Sequence, residues 1–169
     1  MKPAPDNLVI RRAVAADAEA IHAGIVRIAE HLDEKDKITS TPEDLRLYGF
    51  GPNPAFSVLI AEIDGIFAGM SLYFRSFSTW RGVPGAYIQD FVVDPAFRGK
   101  RIGEALLRQT AKNVRAGGGA YLRLAVDADN HSAQGFYEAM GLGWSRNERI
   151  HAAYGAAFEA LAAGDENQP

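Results

Sequence analysis

The chain has 169 residues, no cysteine and a formal net charge of −3, with 47% hydrophobic and 23% charged residues. That length suits one domain that buries about two-thirds of its unfolded surface, and the composition is that of an ordinary globular protein. Without cysteine there is no disulfide scaffold, thiolate zinc site or cysteine nucleophile. The acidic balance argues against nucleic acid as a main partner, because phosphate backbones require a basic field.

No run approaches the roughly 18 apolar residues of a membrane span. Met1–Leu8 is polar and Pro-rich, not leader-like, and no His/Asp/Glu set has metal-ligand spacing. The expectation is a cytoplasmic protein without membrane, nucleic-acid or metal partners.

In chain order, Leu8–Val14 is a β-type run. Asp17 opens a helical pattern with Ile21, Ile25 and Ile28 on one face. The charged stretch His31–Lys37 reads as loop. Thr41-Pro42-Glu43-Asp44 starts a short helix ending near Gly49, with an N-cap threonine, proline at the first helical position and acids in the first turn. Phe56–Ile63 and Ile66–Phe77 form a ribbon around the Asp64-Gly65 turn, and Arg81–Gly85 is the next turn. Ala86–Val93 is a strand ended by Asp94-Pro95. A helix follows from about Arg98 to Arg115, and then a strand over Ala120–Val126. Asn130 caps a helix that stops at Gly141. Two short strands and a docked helix over Ala152–Ala163 complete the pattern. These elements predict an α/β fold with a mixed, mostly antiparallel sheet of six to seven strands flanked by four to five helices. The unit Ala86–Val126 is expected to pair its strands in parallel. One domain over residues 1–163 and a frayed tail over 164–169 are expected.

The segment from Asp90 to Gly103 carries the chemistry. A buried strand enters a loop with glycine at 99 and 103 and cations at Arg98, Lys100 and Arg101, and the loop opens a helix. Glycine lets a ligand approach the backbone, and a helix start offers free N–H groups and partial positive charge. Cations there oppose the helix dipole, so a purely structural role explains them less well than a phosphate ligand does. Neither GxxxxGK[ST] nor a GxGxxG after the first strand is present.

Arg98–Gly103 resembles the acetyl-CoA loop of the GNAT N-acetyltransferases, Gln/Arg-x-x-Gly-x-Gly/Ala. Arg101 stands where that pattern has its central glycine. Asn130, Ala133, Phe136, Tyr137 and Gly141-Leu142 resemble the second GNAT signature. Thr41–Leu45, Phe50-Gly51, Phe77–Gly82 and Tyr87–Asp90 look like the spermidine/spermine (diamine) acetyltransferase branch.

The resemblance implies acetyl transfer from acetyl-CoA, without a metal, to a primary amine of a small molecule such as a diamine, polyamine or amino-acid-like compound, in a homodimer. It implies a cofactor path along Phe91, Val92 and Val93, a bulge near Asp90, and pyrophosphate contacts at Arg98, Gly99, Lys100, Arg101, Ile102 and Gly103. Asn130 would be both N-cap and cofactor neighbour, and Tyr137 the general acid for the leaving thiolate.

Gln89 stands where the branch commonly has a glutamate that helps to deprotonate the amine, and an amide is no base. Asp90, His31 or a water chain can take that role. Leu32 falls at a branch acidic position, with Asp33, Glu34 and Asp36 beside it as substitutes or as a solvated loop. His31, Asp33 and Gln89 are therefore the acceptor-site candidates. Another amine acceptor (an antibiotic, or a protein N-terminus or lysine) and a non-catalytic acyl-CoA-binding module stay open as alternatives.

Overall fold

The structure is a computed structural model that describes residues 4–163. The chain divides into two compact units, one reaching Ala128 and the other starting at Asp129. The first contains β1 (Leu8–Arg12), α1 (Ala18–His31), α2 (Pro42–Phe50), β2 (Ser57–Ile63), β3 (Ile66–Ser78), β4 (Val83–Val93), α3 (Ile102–Ala116) and β5 (Leu122–Leu124). The strands form one sheet in the order β1-β2-β3-β4-β5, antiparallel up to β4 and parallel between β4 and β5. The second unit holds α4 (His131–Ala139) and α5 (Ala156–Ala163).

Local chemistry sets these boundaries. At the β2–β3 turn, Asp64 (φ 52°) and Gly65 (φ 76°) both take left-handed φ, as a tight hairpin turn of this twist requires. Thr41 caps α2 reciprocally: the Asp44 N–H donates to Thr41 Oγ1 (3.3 Å), and the Thr41 N–H donates to Asp44 Oδ2 (2.8 Å). Arg11 spans Asp17 Oδ2 (2.8 Å) and Glu62 Oε1 (2.6 Å), which ties β1 to β2 and to the short 3-10 turn before α1. The hydrogen bonds from Arg11 hold the Asp17 carboxyl below its usual range.

Residues alternate across the sheet, so adjacent positions of β3 report its two faces. Met70 and Leu72 join Ala18, Ile21, Leu45, Val58, Ile60 and Val92 in one core cluster under α1 and α2. Ser71, between them, accepts from Thr110 Oγ1 of α3 on the other face (3.0 Å). Leu106 and Ile102 of α3 are buried on that side.

The sheet has five strands among the described residues, fewer than the six to seven expected. The two strands expected after Gly141 are not formed: residues 142–155 hold only turns and irregular backbone, with Trp144, Ile150 and Tyr154 exposed. A strand needs a neighbour that takes up its N–H and C=O groups, and this segment has no such ladder. β5 covers only three residues of the expected Ala120–Val126. α5 forms over Ala156–Ala163 of the helix expected at Ala152–Ala163. The expected tail, 164–169, lies outside the described residues. No helix among them is long and apolar enough to cross a membrane.

Candidate active site

β4 changes character halfway along its length. Ala86, Tyr87 and Ile88 pair in parallel with Leu122, Arg123 and Leu124, and that ladder stops at Ile88. On the other side the register with β3 shifts at the same point. Tyr73 faces Ile88 and Leu72 faces Asp90, which leaves Gln89 as an extra residue. This is a β-bulge, and it bends β4 away from β5. Beyond it, Asp90–Val93 continues to pair with β3 alone within the sheet. The expected bulge near Asp90 is therefore present.

Asp90 lies opposite Leu72 and so faces the α1/α2 layer, while Phe91 lies opposite Ser71 and faces the α3 side. Asp90 is half-buried, and burial pushes its carboxyl up to about 6. Gln89 is exposed.

β4 ends at Val93, and Asp94 Oδ1 then accepts from the Ala96 N–H (2.9 Å) and closes a 3-10 turn over Pro95–Phe97. Asp94 Oδ2 accepts from Arg27 of α1. Gly99 then turns with φ 75° into open space, and Arg101 sits in the left-handed region with φ 59° and ψ 18° immediately before α3. The first N–H to bond back into the helix is that of Ala105, to Arg101 O (3.1 Å). The helical reading from Arg98 is corrected: residues 98–101 form a loop, because two left-handed residues cannot continue a right-handed helix.

The three loop cations have different fates. Arg101 Nε donates to Glu104 Oε2 (2.7 Å), and Arg108 binds the same carboxylate through Oε1 (3.1 Å). Both guanidiniums, Arg101 foremost, hold the Glu104 carboxyl below its usual range. The charge of Arg101 is thus committed within α3. Lys100 Nζ lies 5.1 Å over the Phe97 ring, and Arg98 is exposed with no ion-pair partner among the described residues. Arg98 and Lys100 are the cations that a phosphate could recruit.

In the second unit, Asn130 is the expected N-cap: its Oδ1 accepts from the Ala133 N–H (3.1 Å). Tyr137 lies in α4 with its ring edge-on to Phe136 at 5.1 Å. Burial pushes its phenol up to about 12.

His31 ends α1 and is exposed, and Asp33 is exposed with φ 56°. No hydrogen bond or ion pair among the described residues joins either of them to Gln89 or Asp90. Glu34 pairs with Lys37, which makes it part of a solvated ion pair. Sequence reasoning passed over Arg27, Glu104 and a small open cavity of about 140 Å³ lined by Arg12, Phe50, Phe56 and Tyr73. The Arg101–Glu104–Arg108 spacing of three and four is a readable helix signal. The Arg27–Asp94 pair spans 67 positions and has no local signal.

A strand that bulges off its neighbour and runs into a glycine-bearing loop at a helix start fits the acyl-transfer fold expected from the sequence. The sequence model of the acetyltransferase (GNAT) family matches residues 25–142, and the chain belongs to that family and is an acetyltransferase. A thialysine N-epsilon-acetyltransferase of Bos taurus is 34% identical over 142 residues, covering 79% of this chain and 83% of the relative. The spermidine/spermine N(1)-acetyltransferase-like protein 1 of Homo sapiens is 32% identical over 114 residues, covering 63% of this chain and 16% of that protein. Among solved structures, an integron cassette protein from the mobile metagenome of V. cholerae shares the fold. Its TM-score is 0.77 at 21% identity, over 94% of this chain and 99% of the other.

Proposed function

We propose that this enzyme transfers acetyl from acetyl-CoA to a primary amine of a small molecule: a diamine, a polyamine or an amino-acid-like compound. The observation that carries the proposal is the bulge at Gln89, where β4 loses its β5 ladder and runs on into the loop at Asp94–Gly103. Family membership supports it, as do the relatives named for thialysine and spermidine/spermine acetylation. The match over 25–142 runs through both compact units, which supports reading residues 1–163 as one catalytic domain.

Acetyl-CoA enters as substrate. Its pyrophosphate would lie on the amides of Gly99–Gly103 with Arg98 and Lys100 beside it, and Ile102 would start the helix beneath. Its pantetheine arm would lie along Phe91–Val93 like an added strand. Backbone N–H groups of β4 would polarise the thioester carbonyl. Asn130 is retained as a cofactor neighbour.

The amine must first lose a proton. A lysine-like ammonium of pKa about 10.4 is neutral in roughly one molecule per thousand near pH 7.4, a cost of about 4 kcal/mol. Gln89 cannot accept that proton. Asp90, with its carboxyl near 6, is ionised at neutral pH and is a stronger base than an ordinary carboxylate. Asp90 is therefore the proposed base, directly or through water, with His31 and Asp33 as acceptor-site residues.

The freed amine attacks the thioester carbon directly, because no cysteine exists to carry the acetyl group. A C–N bond forms and the C–S bond breaks. The second proton of the nitrogen passes, directly or through water, to the Tyr137 oxygen as the phenol gives its own proton to the sulfur, which departs as a thiol. Tyr137 is the proposed donor to that sulfur. A phenol near 12 holds its proton at neutral pH. Full transfer to a thiolate of pKa about 8.5 becomes favourable only as the strongly acidic acylated nitrogen gives up its own proton.

The same proposal makes the enzyme a cytoplasmic homodimer with neither nucleic acid nor membrane as partner. Phe77 and Trp80, at the β3–β4 turn, are 61% and 99% exposed, as an interface requires, whereas Phe74 stacks on Tyr87 at 5.3 Å. Light scattering is expected to give about twice the 18.3 kDa chain mass.

A panel of amines, read by thiol release and by acetyl-CoA binding alone, tests the function. Release with short primary amines is expected. Turnover confined to peptide N-termini would overturn the acceptor class, and tight binding without turnover on any amine would overturn catalysis.

A further inference from the structure

We infer that Arg27 is a positioning residue for the pyrophosphate loop and acts through Asp94. The inference rests on the reading that this loop carries the pyrophosphate of acetyl-CoA. Asp94 is the junction at which β4 becomes the loop, and three bonds fix it. Its N–H donates to Ala68 O of β3 (2.9 Å), and its Oδ1 accepts from the Ala96 N–H (2.9 Å). Its Oδ2 accepts from Nη1 of Arg27, which comes from the helical layer packed on β3 and β4. Closing the turn needs only one carboxylate oxygen, so the turn alone does not explain the arginine.

Charge does explain it. The Asp94 side chain is 16% exposed, four residues before Arg98 at the entrance to an anion cradle. A carboxylate there repels a pyrophosphate, and a partly buried charge is screened less than a surface one. Arg27 cancels that charge and fixes the acid in its capping rotamer. Glu104, at the other end of the loop, is treated the same way by Arg101 and Arg108. Each acid at the loop is thus neutralised by arginine, Asp94 by one and Glu104 by two, which leaves Arg98 and Lys100 for the ligand.

The test compares acetyl-CoA with acetyl-pantetheine, which presents the same thioester without phosphates. Dissociation and Michaelis constants are measured for wild type, Arg27→Gln, Arg27→Lys and the double variant Arg27→Gln/Asp94→Asn, after melting curves show each folded. The Asp94→Asn change keeps an oxygen for the Ala96 N–H and removes the charge.

Arg27→Gln is expected to weaken acetyl-CoA roughly two- to five-fold, the scale of a partly exposed ion pair. The loss should shrink at high salt, with acetyl-pantetheine and kcat unchanged. Arg27→Lys and the double variant should recover the wild-type constant. Equal weakening of both donors, or a double variant as weak as the single, would overturn the inference and leave Arg27 a structural strut. If wild type itself gained nothing from the phosphates of acetyl-CoA, the loop reading would fail first, and the role of Arg27 with it.

Discussion

Helices α2 and α3 begin in opposite ways, and the contrast separates structure from function. α2 satisfies its own first turn: Thr41 and Asp44 cap each other, Pro42 removes one N–H, and Glu43 and Asp44 complement the dipole. α3 has no side-chain cap, a left-handed Arg101 at its N-cap and cations before it. A left-handed non-glycine residue costs about 1–2 kcal/mol. The first helix start is closed to ligands by its own side chains, and the second is left open at a cost to the fold. α4 resembles α2, since Asn130 caps it. Its proposed chemistry accordingly lies in its body, at Tyr137, and not at its start.

Substitutions can break this contrast, in order of expected effect. An unpaired carboxylate at the open start, unlike Glu104, which Arg101 and Arg108 neutralise, should exclude the anion. Gly103→Glu is expected to weaken acetyl-CoA at least about 100-fold, or roughly 2.7 kcal/mol, in a titration calorimeter. Affinity within three-fold of wild type would place the phosphates elsewhere.

Tyr137→Phe should keep acetyl-CoA affinity and lose roughly ten- to a thousand-fold in kcat, the range of a general acid. That loss should narrow when the donor's thiol is more acidic. Wild-type turnover, with chemistry rate-limiting, would make Tyr137 a packing residue.

Asp90→Asn turns on sign. Because burial raises the folded pKa from 3.8 to about 6, the native state holds more protons than the unfolded one between those values, and stability falls as pH rises through that window. The asparagine variant should therefore melt higher than wild type above pH 6, by at most about 3 kcal/mol in stability. It should also lose the rise in kcat/KM through pH 6 that an ionising base produces. A variant that loses stability at pH 8 would contradict the burial argument.

Smallest is the mirror experiment. Thr41→Ala should lower stability by about 1 kcal/mol in urea unfolding and leave acetyl-CoA affinity unchanged.

Much of this contrast was readable in the sequence, because its signals are local. Thr41-Pro42-Glu43-Asp44 announces a capped helix, Asp64-Gly65 a hairpin and Asn130 a cap, each within four residues. The strand-to-loop passage at Asp90–Gly103 was legible for the same reason, whereas the bulge near Asp90 was expected only through the family resemblance.

Most of the unread parts depend on partners distant in sequence. Arg101 is the exception: its spacing of three to Glu104 is a readable signal, and only the structure shows its left-handed backbone. Arg27 meets Asp94 through tertiary packing alone. The strands expected after Gly141 had the apolar residues of strands but no neighbour to pair with, and composition does not encode a neighbour. The strand expected to reach Val126 stops at Leu124 because β4 bends away at Gln89.

The most direct measurement is of the amides themselves. Titrating CoA into 15N-labelled protein should shift the backbone resonances of Gly99 to Gly103 first and furthest. Those of residues 42–45, at the closed helix start, should stay in place. Shifts centred elsewhere, with Gly99–Gly103 unmoved at saturation, would contradict the reading of the α3 start as the pyrophosphate site.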